Sequence, residues 1–395
     1  MHMSKSRGRA GRSSERGQAL ILFVGLFTII AIAAAIVIDF GIWFSERRGA
    51  QKDADLVTLA GAYELLSDDV TFGDVDGATQ QWAAANGLDP ANNLHNLAVK
   101  SLAFPDGYSD DPEYCHNAVS TDERPNAVVL DVSHESRALF AAIFGVDAPD
   151  IGAHACARAG SLHGTTGLRP WTVSALNSDC FEDGVPFFGQ DCLFRLESPS
   201  SQVGSIRLGD DPGEDCDDGA GAATYRENVE EGADAYCAIG DFINTEPGLN
   251  TGPTLTALAN LLSTEGECDD LNGDGDGIDQ FAEAYSPTLG VPGPDETFVA
   301  RDCETPRAVH IVIIDEWDGT GFDTRPIMGF AAFYILGCEE LDNSGVVVEV
   351  YETCDVQGGG QGSFQIRGFF MNILELEGDI GTFDPFGTHV IRLVE

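Results

Sequence analysis

From Ala19 to Ile38 the chain runs for about twenty residues without one charged side chain. At a helical rise of ~1.5 Å per residue that run is ~30 Å long, the thickness of a bilayer's hydrocarbon layer. The segment predicts a single membrane-crossing helix over residues 19–44, and the rest of the fold must be arranged around it. Lys5, Arg7, Arg9, Arg12 and Arg16 precede the run, and such a cluster stays in the cytoplasm, so residues 1–18 read as a basic cytoplasmic tail. Trp43, Phe44, Arg47 and Arg48 follow as anchors at the outer interface. A cleavable signal peptide shares this layout. Here, however, the apolar run exceeds a signal core and no small-residue cleavage site follows it, so retention is expected. Asp39 stands at the outer end of the span, where a solvated carboxylate costs little, and the expectation is solvation rather than burial against a partner.

Charge divides the chain at the same place. Residues 1–52 hold 8 of the 21 basic and 3 of the 65 acidic side chains, which leaves 13 basic against 62 acidic for the remainder. A body that acidic repels phosphate backbones, which excludes nucleic acid as a partner and makes metal cations the natural counter-ligands. All ten cysteines lie beyond the helix, with wide spacings and no CxxC pair. That pattern argues for disulfides in an oxidising compartment rather than a zinc site. The full connectivity is open; the sequence-neighbour pairs Cys180 with Cys192 and Cys338 with Cys354 would each staple one hairpin.

Past the span, small residues recur at three- and four-residue steps (Ala50, Ala54, Val57, Ala60, Gly61, Leu65), so residues 45–66 continue the helix with a stripe suited to close packing. The ordered set Arg16-Gly17-Gln-Ala-Leu, the apolar span, Val37-Ile-Asp39-Phe-Gly41, Arg47-Arg48, Gln51, Ala54-Asp55 and Leu59-Ala60-Gly61-Ala62 resembles the N-terminal segment of Flp pilus-assembly proteins of the TadE/TadG-like family. Looser likenesses follow at Val128–Val132, Leu139–Gly145 and Ile151–Ala157, then at Gly204–Leu208, Pro247–Thr254 and Gly329–Phe333. The resemblance implies a non-enzymatic envelope component, held in a bacterial cytoplasmic membrane, that assembles or anchors a thin adhesive pilus or its secretion machine. It also implies pilus-assembly or envelope proteins as partners. Bacterial prepilins carry a glutamate five residues after their processed glycine; after Gly17 that position is Leu22, which points away from a processed fibre subunit.

The exported part reads as α+β. Residues 67–160 form a pilin-like α+β region: an acidic connection over Ser67–Gly77, a helix over Ala78–Asn86, strands at Leu97–Phe104, Ala127–Ser133 and Ile151–Ala159, and a helix over Glu135–Phe144. Pro105–Pro125 reads as a long loop carrying Cys115. Residues 161–395 read as an acidic, mainly β domain, a sandwich or barrel. Its strands are expected near Trp171–Leu176, Asp191–Leu196, Gly204–Leu208, Ala308–Ile314, Ile327–Leu336, Val346–Tyr351, Phe364–Met371 and His389–Val394, with one helix at Pro253–Leu262.

Of the candidate chemistries, the sharpest is calcium. Asn272, Asp274, Asp276, Gly277 and Glu283 fall at positions one, three, five, six and twelve of a calcium-loop spacing, which converges hard oxygens on one ion; flanking EF-hand helices are not evident. Asp131-Val-Ser133-His-Glu135 approaches a strand-end DxSxS metal motif but has Glu in place of the last Ser, so a strand leaving the core is the better reading. No GxSxG, HExxH or phosphate-binding loop occurs. The adjacent acids Asp210–Asp211 and Glu339–Glu340 read as solvated charge, and His134 and His154 as packed. No small-molecule substrate is indicated. Two rivals to the assembly component remain: a calcium-stabilised surface adhesin, and an anchored hydrolase, which would need polar residues opposed across a cleft.

Overall fold

A computed structural model of the chain describes residues 15–394 except 68–69, 90, 92–93, 104–114, 116–118, 122, 196–202, 220, 246–250, 264–267, 269–279, 288–296, 302, 304, 317–322, 357–362 and 376–377. Most of the basic tail, most of the Pro105–Pro125 loop and the start of Pro247–Thr254 therefore lie outside the described residues.

The helices are α1 (Glu15–Glu64), α2 (Phe72–Ala85), α3 (Ala222–Glu230), α4 (Thr251–Leu262) and α5 (Phe281–Ala284). The main strands are β1 (Leu94–Lys100), β2 (Ala127–Glu135), β3 (Asp150–Thr165), β4 (Leu168–Ser174), β5 (Asp191–Arg195), β6 (Val203–Ser205), β7 (Ala308–Ile314), β8 (Gly329–Leu341), β9 (Val347–Tyr351), β10 (Ser363–Met371), β11 (Ile373–Glu375) and β12 (Thr388–Val394). The result is the expected α+β architecture, with one long apolar helix at its head.

α1 is unbroken across the span and its extension. Its large apolar residues from Leu20 to Ile38 are exposed, with Phe140, Ala141 and Val146 lying beside Ile32, Ala35 and Ile36, and this is the one helix among the described residues long and apolar enough to cross a membrane. From Ala50 onward one face is buried. α2 begins earlier than the alanine-rich run indicated, because Thr71 caps it: the Thr71 hydroxyl accepts from the Asp74 N–H, and the Asp74 carboxylate accepts from the Thr71 N–H. That reciprocal capping box fixes the start six residues upstream of Ala78.

The first sheet runs β1-β2-β3-β12-β11, then Phe298–Ala300 and Tyr285–Pro287. β1, β2, β3 and β12 are antiparallel neighbours, while β11 joins β12 in parallel. Alternate residues Val128, Leu130 and Val132 on β2, with Ala155, Ala157 and Ala159 on β3, face α1 and α2 and bury Ala54, Val57, Ala62, Leu65, Val75 and Ala83. The period of two along each strand meets the small-residue stripe of the helix. β1 starts three residues before the expected strand, at Leu94, with a bulge between His95 and Ala98. The expected division at 160/161 falls inside β3, and the last strand, β12, pairs with β3; the two regions share a sheet.

The second sheet runs β5-β10-β8-β7-β4-β6, with β9 paired to β8. On one face, Trp171, Phe194, Phe333 and Phe370 pack against Tyr225 and Val229 of α3 and Ala257 and Leu258 of α4. Phe194 and Phe333 stack with centroids 4.3 Å apart, and Phe370 meets Phe333 edge-on. Each such ring contributes ~1.5–3 kcal/mol by leaving water. α3, unread in the sequence, is held by a buried network: Trp171 Nε1 donates to the Tyr225 hydroxyl at 2.9 Å, which lies 2.8 Å from Thr254 Oγ1. Leu162 and Val390 join Val312, Ile314 and Phe330 in a cluster that binds the two sheets together. All ten cysteines are bonded: Cys115–Cys156, Cys180–Cys192, Cys216–Cys237, Cys268–Cys303 and Cys338–Cys354. Cys338–Cys354 closes the β8–β9 hairpin.

Candidate functional site

The residues singled out on α1 converge on one structural task, the seating of a helix on a sheet. Ala54 and Ala62 are fully buried and Ala60 half-buried. Gly61 is required by close approach: a Cβ there would lie 2.2 Å from Thr79 Oγ1, so the missing side chain is what lets α2 lie against α1. Gln51 reaches from the helix to the sheet. Its Nε2 donates to the His154 carbonyl of β3 at 2.9 Å and to Asp55 Oδ1 at 2.7 Å, which holds the amide in place. Gly41 lies on an exposed face with open space around it, and Arg16 and Gly17 sit in the first helical turns.

The C-terminus of α1 carries no basic residue of its own. The guanidinium of Arg124, from the strand-side loop, donates instead to the Leu65 and Ser67 carbonyls, each at 2.9 Å, and stacks over Phe383 at 3.8 Å. A cation there satisfies orphan carbonyls and the helix dipole. Sequence could not find this cap, because its donor is 59 residues away.

Asp39 is not solvated. It is 2% exposed, and its carboxylate accepts the backbone N–H groups of Leu139, Phe140 and Ala141 at 2.5–3.2 Å. The solvated expectation fails because a segment a hundred residues away folds back over the carboxylate. That segment also departs from the expected helix over Glu135–Phe144: β2 continues to Glu135, and only Ala141–Phe144 turns, as one 3-10 turn closed by Gly145 in the left-handed region (φ 72°). Extended β2 pairing through Glu135 competes with helix, and Asp39 caps what remains. Trp43 Nε1 donates to the Arg137 carbonyl at 3.2 Å, and the Ser136 hydroxyl donates to the Pro149 carbonyl across the neck of the loop.

Residues 17–64 match the family described as putative Flp pilus-assembly TadE/G-like, and residues 60–157 match a putative Tad-like Flp pilus-assembly family. Residues 17–157, about a third of the chain, are thus similar to TadE/G-like Flp pilus-assembly proteins. No curated protein and no solved structure matches it. The TadE/G-like segment thus takes in the span, the Asp39 clamp, the Gln51 and Gly61 contacts, and the sheet as far as Ala157 of β3.

Outside the TadE/G-like helix seat, the other candidate residues are dispersed. Asn272, Asp274 and Asp276 lie outside the described residues. Glu283 is in α5, buried; its Oε2 accepts from the Gln280 N–H at 2.8 Å, and its Oε1 has no hydrogen-bond partner. Asp131 accepts from Asn96 Nδ2 and lies 2.8 Å from His154 Nδ1, its cross-strand neighbour, so a strand-surface pair occupies the would-be metal motif. His154 is half-exposed in that pair. Glu339 is not solvated charge: it is buried and accepts from Gln365 Nε2 at 2.7 Å. Asp210 and Asp211 gather with Glu214 in a partly exposed turn where the Asp210 N–H donates to Glu214.

A cavity of about 280 Å³ holds His310 Nε2 3.2 Å from Glu375 Oε1, and Cys303 on its wall is disulfide-bonded. Burial pushes the Glu375 carboxyl up, but its pairing with His310 outweighs this and leaves it below the usual range. Two more titratable groups are buried near the end of β3. Burial raises Asp384 to about 7, opposed in part by the Phe386 N–H and the Ser161 hydroxyl. Burial, then the nearby Arg124 cation, lowers His389 to about 4.

Proposed function

We propose that this protein is a membrane-anchored structural component of a Tad/Flp-type pilus-assembly or secretion apparatus. It acts without catalysis, with its N-terminus in the cytoplasm of a bacterium and its sheets outside the cytoplasmic membrane. The observation that carries this reading is the continuity of α1: one helix presents a bare apolar half and then a half fixed into the sheet by Gly61, Gln51 and the Arg124 cap. A rigid rod of this kind passes displacement between a membrane complex and an external partner without a hinge. The disulfides support an oxidising location, and the family match supports the pilus context. Deleting the gene should abolish or sharply reduce surface pili counted by electron microscopy, wild-type copies should restore them, and Asp39→Ala copies should restore them less. Normal pilus number and adhesion after deletion would sink the proposal. Protease added to spheroplasts should digest the C-terminal body and spare the basic tail.

A second reading, a calcium-stabilised surface adhesin, is favoured by Glu283, whose buried Oε1 has no partner at the twelfth position of the loop spacing. Calcium should then raise the melting temperature of the wild type and not of Asp274→Ala with Asp276→Ala. Equal melting with and without calcium removes this reading.

A further inference from the structure

The loop that Asp39 holds carries a second set of apolar side chains that the body does not cover. Leu139 is 56%, Ile143 74% and Val146 52% exposed, and Phe140 lies beside them. No charge occurs from Ala138 to Val146, while Arg137 and Asp147 flank that stretch. The loop lies alongside the span rather than above it: Phe140, Ala141 and Val146 line one groove with Ile32, Ala35 and Ile36 of α1. Ile32 precedes the outer end of the uncharged run by six residues, about 9 Å of helix. That places the loop's apolar side chains at the depth an interfacial segment reaches, roughly 5–10 Å below the headgroups.

Backbone groups decide whether a non-helical loop tolerates such a site, because an unpaired amide in hydrocarbon costs several kcal/mol. Here the N–H groups of Leu139, Phe140 and Ala141 are taken by Asp39, and those of Ile143, Gly145 and Val146 by the carbonyls of Phe140, Ala142 and Ala141. The same arrangement supplies hydrogen bonds to Asp39, which would otherwise be a bare carboxylate at the edge of the membrane.

We infer that the 138–146 loop is a monotopic insertion: Leu139, Phe140, Ile143 and Val146 enter the acyl chains of the outer leaflet next to the span, and Asp39 pins the loop at that depth. The occupant is the bilayer that α1 crosses, since the loop surface is continuous with the lipid-facing surface of the helix. The inference rests on the membrane-anchor reading, and goes beyond it by giving the external body a second foot that fixes its tilt.

Because all ten native cysteines are disulfide-bonded, a single introduced thiol can be labelled in the full-length protein. Ile143→Cys, Ile30→Cys in the span and Ser344→Cys in a distal turn would carry an environment-sensitive fluorophore in phosphatidylcholine vesicles, with or without nitroxide groups on the acyl chains. The expected result is strong quenching at Ile30→Cys, quenching at least half as great at Ile143→Cys, and none at Ser344→Cys. Quenching at Ile30→Cys with none at Ile143→Cys overturns the loop insertion and leaves the anchor standing. Absence of quenching at Ile30→Cys overturns the anchor and the insertion together. A probe at Ile143→Cys that is shielded only at high protein density, without quenching by lipid, assigns the surface to a second copy of the chain and overturns the inference as well. Ile143 is an exposed side chain, so its substitution leaves the fold intact; circular dichroism of each labelled protein checks this.

Discussion

The two halves of α1 are one continuous helix and answer to different solvents. Between Leu20 and Ile38 large aliphatic and aromatic side chains point in every direction and remain exposed, those near Ile32 and Ile36 beside the 138–146 loop. Between Ala50 and Leu65 the buried face is made mostly of the small residues Ala, Val, Thr and Gly and ends in Leu65, and it lies against β2, β3 and α2. Lipid accepts any apolar shape, so the lower half is free in detail and constrained only in length and charge. A sheet accepts only a complementary shape, so the upper half is constrained residue by residue. Glycine shows the contrast most directly: Gly25 and Gly41 have open space where a Cβ would go, and Gly61 has Thr79 there.

The sharpest way to break the comparison is to place the same substitution in both halves. Gly61→Leu should destabilise the folded body by about 3 kcal/mol through overpacking, while Gly25→Leu should leave it unchanged, both read by thermal unfolding in detergent. Equal effects would mean that the two halves do not differ as described.

Protonation separates the halves next, since the seat of the upper half includes buried titratable groups and the uncharged run has none. His389, lowered from 6.5 to about 4, stabilises the fold above pH 6.5 and withdraws that contribution as pH falls towards 4. Asp384, raised from 3.8 to about 7, does the opposite: its contribution is complete below pH 3.8 and is lost as pH rises to 7. Between pH 4 and 6.5 the two slopes offset each other in the wild type. Asp384→Asn should uncover stability that rises with pH across that window, and His389→Phe stability that falls, each by up to ~1.4 kcal/mol per pH unit. Parallel slopes in the two variants would refute the assignment.

Arg124→Ala should cost ~1–2 kcal/mol, because two carbonyls at the end of α1 lose a charged donor. Its signature is faster amide exchange confined to the last turns of α1. The smallest effect belongs to the lower half: Ile30→Ala should change the unfolding of the body by less than ~0.5 kcal/mol, as expected for a side chain that touches no part of it. A shift as large as that of Arg124→Ala would show that the span packs on the body.

Much of this architecture was legible because it rests on local pattern. Ala308–Ile314 is a strand at its expected bounds, and Asp191–Leu196, Val346–Tyr351 and Phe364–Met371 shift by a residue or so, since alternating apolar residues between turns report a half-buried strand directly. α2 starts six residues before the expected Ala78, at a capping box that Thr71 and Asp74 carry in the sequence. α3 has no counterpart among the expected elements because its nine residues sit in a Gly- and Asp-rich stretch and are held by tertiary hydrogen bonds from Tyr225 rather than by propensity.

The sequence by itself determined the long apolar helix, its flanking charges, the small-residue stripe and the resemblance over residues 17–157, because each of these is written in neighbouring residues. Only the tertiary structure decided the state of Asp39, the cap on α1, the partners of Gln51 and Gly61, and the return of the last strand into the first sheet. The physical reason is distance along the chain. Asp39 meets Leu139 to Ala141, Leu65 meets Arg124, and Ser161 pairs with His389, and contacts between residues so far apart exist only once the chain has closed on itself.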